Sequence, residues 1–98
     1  MITTKQRAYL RSLGHQLTPI FQIGKQGVTP EVVEAINDAL EARELIKITV
    51  LNNCEEDVRD ICEKIYSRTH SEPVQVIGRK FILYRAAKKP KIELPPAK

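Results

Sequence analysis

The chain has 98 residues, 42% of them apolar and 29% charged, and a net charge of +4, which suits one small domain with one core. No stretch approaches the ~20 apolar residues of a membrane helix, and the N-terminus "MITTKQRAYL" meets charge at once instead of an apolar signal core. Two cysteines are too few for a disulfide framework, so these features argue against membrane and disulfide-built classes, and a cytoplasmic protein is expected.

The first segment, "TTKQRAYLRSLGHQL", predicts a helix over 4–17. Leu10, Leu13 and Leu17 recur at helical spacing, and Arg7, Arg11 and His15 form a basic stripe beside them. Gly14 weakens its last turns. "PIFQI" (19–23) reads as a short strand with Pro19 at its first position, where a missing donor is tolerated. Next come Gly24, Lys25, Gln26 and Gly27, then a marked helix start: Thr29 to cap, Pro30 at the first helical position and Glu31 at the positive end of the dipole. Val32, Val33, Ile36 and Leu40 make its buried stripe, and Glu31, Glu34, Asp38 and Glu41 an acidic face.

"LIKITVL" (45–51) alternates as a half-buried strand, and "NNCEED" turns into a third helix with Val58, Ile61, Cys62 and Ile65 on one stripe. "PVQVI" and "KFILYR" flank Gly78-Arg79, a two-residue hairpin signal of the glycine-first type. Phe81-Ile82-Leu83-Tyr84 is apolar throughout and predicts an interior strand. From Lys88 on, "KKPKIELPPAK" holds three prolines and four lysines; its composition predicts a basic, disordered tail over 88–98. The folded domain is thus expected over 1–87, as a two-layer αβαβαββ domain of the α/β class. Its first two strands should be parallel and its last two an antiparallel hairpin.

Charge is segregated along the chain. Residues 1–30 carry four bases and no acid, 31–63 ten acids against three bases, and 64–98 nine bases against two acids. A basic face opposite an acidic one points towards a polyanion.

Nothing in the sequence forms a catalytic constellation. His15 and His70 have no nucleophile or metal-ligand partner at a recognisable spacing, and Cys54 and Cys62, eight apart, do not match a zinc site. "GKQG" lacks the GK-[ST] ending of a P-loop. No enzyme activity, cofactor, metal or small-molecule substrate is expected. Two glycines flanking an exposed lysine, between a strand and a capped helix, do suit a phosphate: the backbone comes close and the helix N-terminus offers N–H groups. KH domains clamp a nucleic-acid backbone with a GxxG loop. No helix carries a major-groove reading face and no RRM-like aromatic motif appears, so affinity would rest on phosphates and RNA shape. The alternative is a protein-interaction module, docking through its acidic second helix (Glu34, Asp38 and Glu41) on a basic protein.

"LRSLGHQLTPIFQIGKQGVTPEVVEAI", followed by "VQVIGRKFILYR", resembles the CRM domain (chloroplast RNA splicing and ribosome maturation), in its stand-alone bacterial form, over about residues 3–86. Gly14 stands where alanine is common and Val28 where leucine is common, both departures in packing positions. The resemblance implies a four-stranded mixed sheet of order 1-2-4-3, similar to the C-terminal domain of translation initiation factor 3. It also implies RNA binding, ribosome association and a role in large-subunit maturation, with precursor rRNA and ribosomal proteins as partners. Carried over, the RNA contact is Gly24, Lys25, Gln26 and Gly27, supported by Lys5, Arg7 and Arg11 of the first helix; Arg79, Lys80 and Arg85 are added to it on their charge.

Overall fold

The structure is a computed structural model that describes residues 2–96. Its elements are α1 (Thr4–Gly14), β1 (Phe21–Ile23), α2 (Pro30–Arg43), β2 (Leu45–Val50), α3 (Val58–Thr69), β3 (Glu72–Ile77) and β4 (Lys80–Tyr84). Each helix starts where a side chain can satisfy its first amides. Thr3 and Gln6 form a reciprocal capping box on α1, Thr29 accepts from the Val32 amide at α2, and Asp57 accepts from the Arg59 amide at α3. α1 stops at Gly14, three residues short of the sequence expectation. The last amides, of Gln16 and Leu17, bond three residues back to Leu13 and Gly14 instead of four, the tightening common at helix ends.

The four strands form one mixed sheet of order β1-β2-β4-β3. β1 and β2 are parallel, and β4 runs antiparallel to both its neighbours. The hairpin pairs Ile77 with Lys80 across Gly78-Arg79, and Gly78 takes the positive φ of 58° that a glycine-first turn requires. The two crossovers, β1–α2–β2 and β2–α3–β3, advance in the same direction across the sheet. Right-handedness therefore puts α2 and α3 on one face.

α1 belongs to no crossover, and it covers the other face, which corrects the expected single helical layer. The reason lies in the side-chain alternation of the central strands. Ile46, Ile48, Val50, Phe81 and Leu83 pack with Ile36, Leu40, Ile61 and Ile65 of α2 and α3. Leu45, Ile82 and Tyr84 point the opposite way and pack with Leu10 and Leu13 of α1. Gly14 lets the end of α1 close on β4: a Cβ there would lie 2.6 Å from the Ile82 Cδ1 atom. No helix among the described residues is long and apolar enough to cross a membrane.

The segment expected to be a disordered tail is laid against this second core as far as it is described; residues 97–98 lie outside the described residues. Ile92 and Leu94 pack against the cluster of Ile2, Leu10, Leu45 and Tyr84, and the Gln6 side chain donates to the Pro95 carbonyl at 3.0 Å. The anchor is Glu44, a fully buried carboxylate just past the end of α2. Its Oε2 accepts from the Ala87 amide at 3.0 Å and its Oε1 from the Lys91 and Ile92 amides at 2.6 and 2.8 Å. Lys91 also caps α2 by donating to the Ala42 carbonyl at 2.9 Å, a favourable place for a cation. Composition could not reveal the carboxylate, because it lies more than forty residues upstream of the amides it binds.

Glu44 is held at a φ of 65°, a backbone state costing a non-glycine residue roughly 1–3 kcal/mol. The three amides offset that strain. Burial alone would raise the carboxyl's pKa, but the amides of Ala87, Lys91 and Ile92 and the Lys91 charge outweigh it, and the net direction is down. The folded state thus favours the carboxylate. Its stabilising contribution is complete above the unfolded value of ~4.3 and disappears as pH falls through the lower folded value. Glu44→Gln removes the charge and leaves one acceptor oxygen, so it should cost about 1–3 kcal/mol at neutral pH. It should also make stability less sensitive to acid below pH ~5 than in the wild type. Urea unfolding across a pH series measures both, with hydrogen exchange at Ala87, Lys91 and Ile92 reporting release of the segment.

Candidate nucleic-acid interface

Three strands point their carboxyl ends the same way, since β3 is parallel to β1 and β2 through the intervening antiparallel β4. The loops after β1, β2 and β3 therefore gather at one end of the sheet, the end where open α/β sheets bind ligands. They are the Gly24–Gly27 loop, the "LNNCEED" loop and the Gly78-Arg79 turn. The Leu51 amide donates to the Ile23 carbonyl at 2.8 Å and the Val50 amide to the Arg79 carbonyl at 2.7 Å, tying the three together.

The glycine loop is a turn closed by the Gly27 amide on the Gly24 carbonyl at 3.0 Å. The amides of Lys25 and Gln26 have no acceptor among the described residues, and both side chains are exposed at the tip. The loop borders an open cleft of about 260 Å³ shared with Gln22, Thr29 and Val32. Behind it α2 starts at the capped Thr29, so the helix's positive end faces the loop. The arrangement offers two unpaired donors, one mobile cation and a helix terminus to an anion.

The two glycines have different causes. Gly27 has a φ of +67°, and a Cβ there would lie 2.8 Å from Glu56 Oε2. The backbone conformation alone accounts for it. Gly24 has no positive φ. A Cβ on it would have nothing nearer than Asn53 Oδ1 at 3.4 Å, an ordinary contact. Packing within the chain does not call for glycine at 24.

Arg79 stands at the same end and grips the terminus of β2: its Nε donates to the Val50 carbonyl at 2.9 Å and its Nη2 to the Leu51 carbonyl. Of the five N–H donors a guanidinium carries, these bonds leave three without an acceptor among the described residues, on an exposed side chain. Lys80 follows it, exposed and paired in register with Thr49. Lys25, Arg79 and Lys80 thus share the loop end of the sheet.

The other predicted residues do not. Arg85 lies at the opposite end, roughly 16 Å of strand away, where its Nη1 donates to Asn37 Oδ1 at 2.7 Å and the Thr69 carbonyl at 2.8 Å, and its Nη2 to the Asn37 carbonyl at 3.0 Å. It ties α2 to the end of α3 and is not brought to the loop. α1 also starts at that far end: the Ile2 amide donates to Glu72 Oε1 at 3.1 Å and Arg7 Nε to the Pro73 carbonyl at 3.2 Å. Lys5 and Arg11 stay exposed on α1.

Sequence reasoning missed Asn53 and Glu56, which flank the two glycines. The signal was available, because parallel pairing of β1 with β2 brings the loops after them side by side. Glu56 is paired with Lys64, which tempers its charge beside the loop. Both histidines lie at helix ends, His15 after α1 and His70 after α3 at a φ of 55°. Cys62 is a packing residue; burial, against the nearby Arg59 and with Glu63, pushes its thiol up to about 11. Among the described residues no group of three His, Cys, Asp or Glu side chains could hold a metal ion.

The family profile of the CRS1/YhbY (CRM) domain matches residues 2–85. The chain is 52% identical over 96 residues to the Bacillus subtilis protein named "Probable RNA-binding protein YqeI", covering 97% of this chain and 100% of that one. It is 37% identical over 94 residues to a Haemophilus influenzae protein named "RNA-binding protein", covering 96% and 95%. A Staphylococcus aureus protein known from its solution structure superposes with a TM-score of 0.82 at 50% identity, over 97% of this chain and 100% of that one. With the profile spanning nearly all of the folded residues and the fold shared at this identity, the chain belongs to the CRS1/YhbY (CRM) domain family.

Proposed function

We propose that this protein is a non-enzymatic RNA-binding protein that grips the phosphate backbone at the carboxyl end of its sheet, through the Gly24–Gly27 loop with Arg79 and Lys80. The observation that carries this reading is Gly24: the fold does not need a glycine there, whereas a backbone approached by a phosphate does. Free amides at Lys25 and Gln26 supply the donors, and the Lys25 ammonium and the exposed guanidinium of Arg79 supply charge. The RNA-binding names of relatives at 52% and 37% identity favour RNA as the polyanion. Contacts of this kind hold the backbone in register and read little sequence.

The target we propose is rRNA in a precursor of the large ribosomal subunit, where the protein assists maturation in the cytoplasm. This rests on the resemblance to the stand-alone bacterial CRM proteins. The charge layout suits a large RNA surface, since the exposed acids of α2 (Glu31, Glu34, Asp38 and Glu41) lie in the helical layer on the opposite side of the sheet from the acid-free α1.

Gly24→Ala separates a structural from a binding role. Its stability should stay within ~0.5 kcal/mol of wild type, while affinity for a single-stranded RNA falls about tenfold, roughly 1.4 kcal/mol. Equal RNA affinity in the folded variant removes the loop from the contact. Lys25→Ala should weaken binding across RNA sequences and flatten the plot of log affinity against log salt by ~0.7. Fluorescence anisotropy titrations at several salt concentrations measure both. For the target, sedimentation of a lysate through a low-salt sucrose gradient should place the protein with large-subunit precursors, in an association lost after RNase. A protein that stays at the top of the gradient contradicts the ribosomal assignment.

A further inference from the structure

The sheet face under α1 is only partly covered. α1 rests on β2, β3 and β4 near their far ends, and the part nearest the loop end is open. The register lines up Gln22, Thr49, Lys80 and Ile77 as neighbours across all four strands. Their immediate neighbours in each strand, Ile23, Ile48, Val50, Phe81 and Val76, point to the α2–α3 core, so the row faces the α1 side. Lys47 lies two residues before Thr49 on the same side, paired with Ile82. Gln22 and Lys80 are exposed, Lys47 and Thr49 half-buried, and Ile77 is 46% exposed at the edge.

We propose that this open strip, Gln22, Lys47, Thr49 and Lys80 with Ile77 at its rim, carries the RNA strand onward from the Gly24–Gly27 loop across the sheet towards α1. The inference rests on the RNA-binding reading of the loop and extends it, past Lys80, to Gln22, Lys47, Thr49 and Ile77, which no sequence motif marked. Charge complementarity selects the occupant. The strip holds two lysines and no acid. The acids described on this side lie away from it at the far end of the sheet: Glu72 is bonded to the Ile2 amide under the start of α1, Glu44 is held by the amides of Ala87, Lys91 and Ile92, and Glu93 belongs to the segment packed there. A strand leaving the loop on the other side would meet the carboxylates of Glu31, Glu34, Asp38 and Glu41. The polar chemistry fits RNA as well. Lysines reach phosphates, the Gln22 amide and Thr49 hydroxyl can pair with a 2′-hydroxyl or a base edge, and an exposed isoleucine gives a base an apolar surface.

The test compares two single-stranded RNAs, one of about four nucleotides, the length a GxxG loop clamps, and one of about twelve. Lys47→Gln should leave the short RNA bound as in wild type, weaken the long one several-fold and lower its salt slope by ~0.7. Thr49→Lys should do the reverse on the long RNA, raising affinity and adding ~0.7 to the slope. Thermal unfolding checks that both variants are folded, and either one alone decides the matter. Unchanged binding of the long RNA overturns the strip and leaves the loop reading standing, provided Lys25→Ala still weakens both lengths. Equal changes on both lengths report a general field and not a contact, and also overturn it. If the wild type binds neither RNA, the loop reading falls and the strip with it.

Discussion

Strand β4 sits in the interior of the sheet with no polar side chain between Phe81 and Tyr84, and this constraint orders the rest of the molecule. Phe81, Ile82, Leu83 and Tyr84 are all buried, alternately against α2–α3 and against α1. Burying such side chains is worth about 1.5–3 kcal/mol each, and both faces must be covered for all four to contribute. Handed crossovers supply cover for one face only. The other needs an element outside the crossovers, which is why α1 precedes β1, and why a glycine at 14 lets it sit closely on Ile82. Because α1 is the acid-free helix and α2 the acidic one, covering β4 from both sides also sorts charge by layer. The packing requirement and the electrostatic asymmetry are one arrangement.

Glu44 shows how a single polar group extends that core. α1 leaves Leu45 and Tyr84 without full cover at the far end of the sheet, and Ile92 and Leu94 complete it. A chain segment so rich in lysine and proline has few apolar groups to hold it down. What holds it is a buried carboxylate with three amide donors, each such charged hydrogen bond being stronger than a neutral one. The same carboxylate lies near the Tyr84 hydroxyl, which burial first and then the Glu44 charge push upward. An uncharged side chain at 44 would leave those amides competing with water for a segment that packs only two large apolar residues.

The parts of the fold legible in the sequence were those set by local chemistry. Thr29-Pro30 marked a helix start, Gly78-Arg79 a hairpin, and the alternation in 45–50 a half-buried strand, and all stand where expected. What was not legible depended on partners distant in sequence. The periodicity of α1 shows that it has an apolar face, but not which side of the sheet receives it. The composition of 88–96 omits Glu44. The charge of Arg85 gives no hint that Asn37 and Thr69 already hold it. At the loop, the motif was visible, but only the folded backbone separates the glycine that it needs, Gly27 at a φ of +67°, from Gly24, which has no positive φ.

That separation bears on how an anion would be held here. A turn that used all its amides internally would leave only Lys25 to attract a phosphate, and a single exposed lysine is a weak and unselective site. In this loop the internal bond uses the amide of Gly27 alone, at the left-handed position, while the amides of Lys25 and Gln26, next to Gly24, have no acceptor among the described residues. The left-handed conformation is thus confined to the glycine that turns the chain into α2, where it costs no strain, and the residues that can meet a ligand keep ordinary backbone geometry. Rigid support comes from below, where the Leu51 amide and the Arg79 carbonyl lock the ends of β1, β2 and the hairpin together. Donors fixed in this way lose little freedom on binding, and the entropy that a flexible basic loop would give up is already lost in folding.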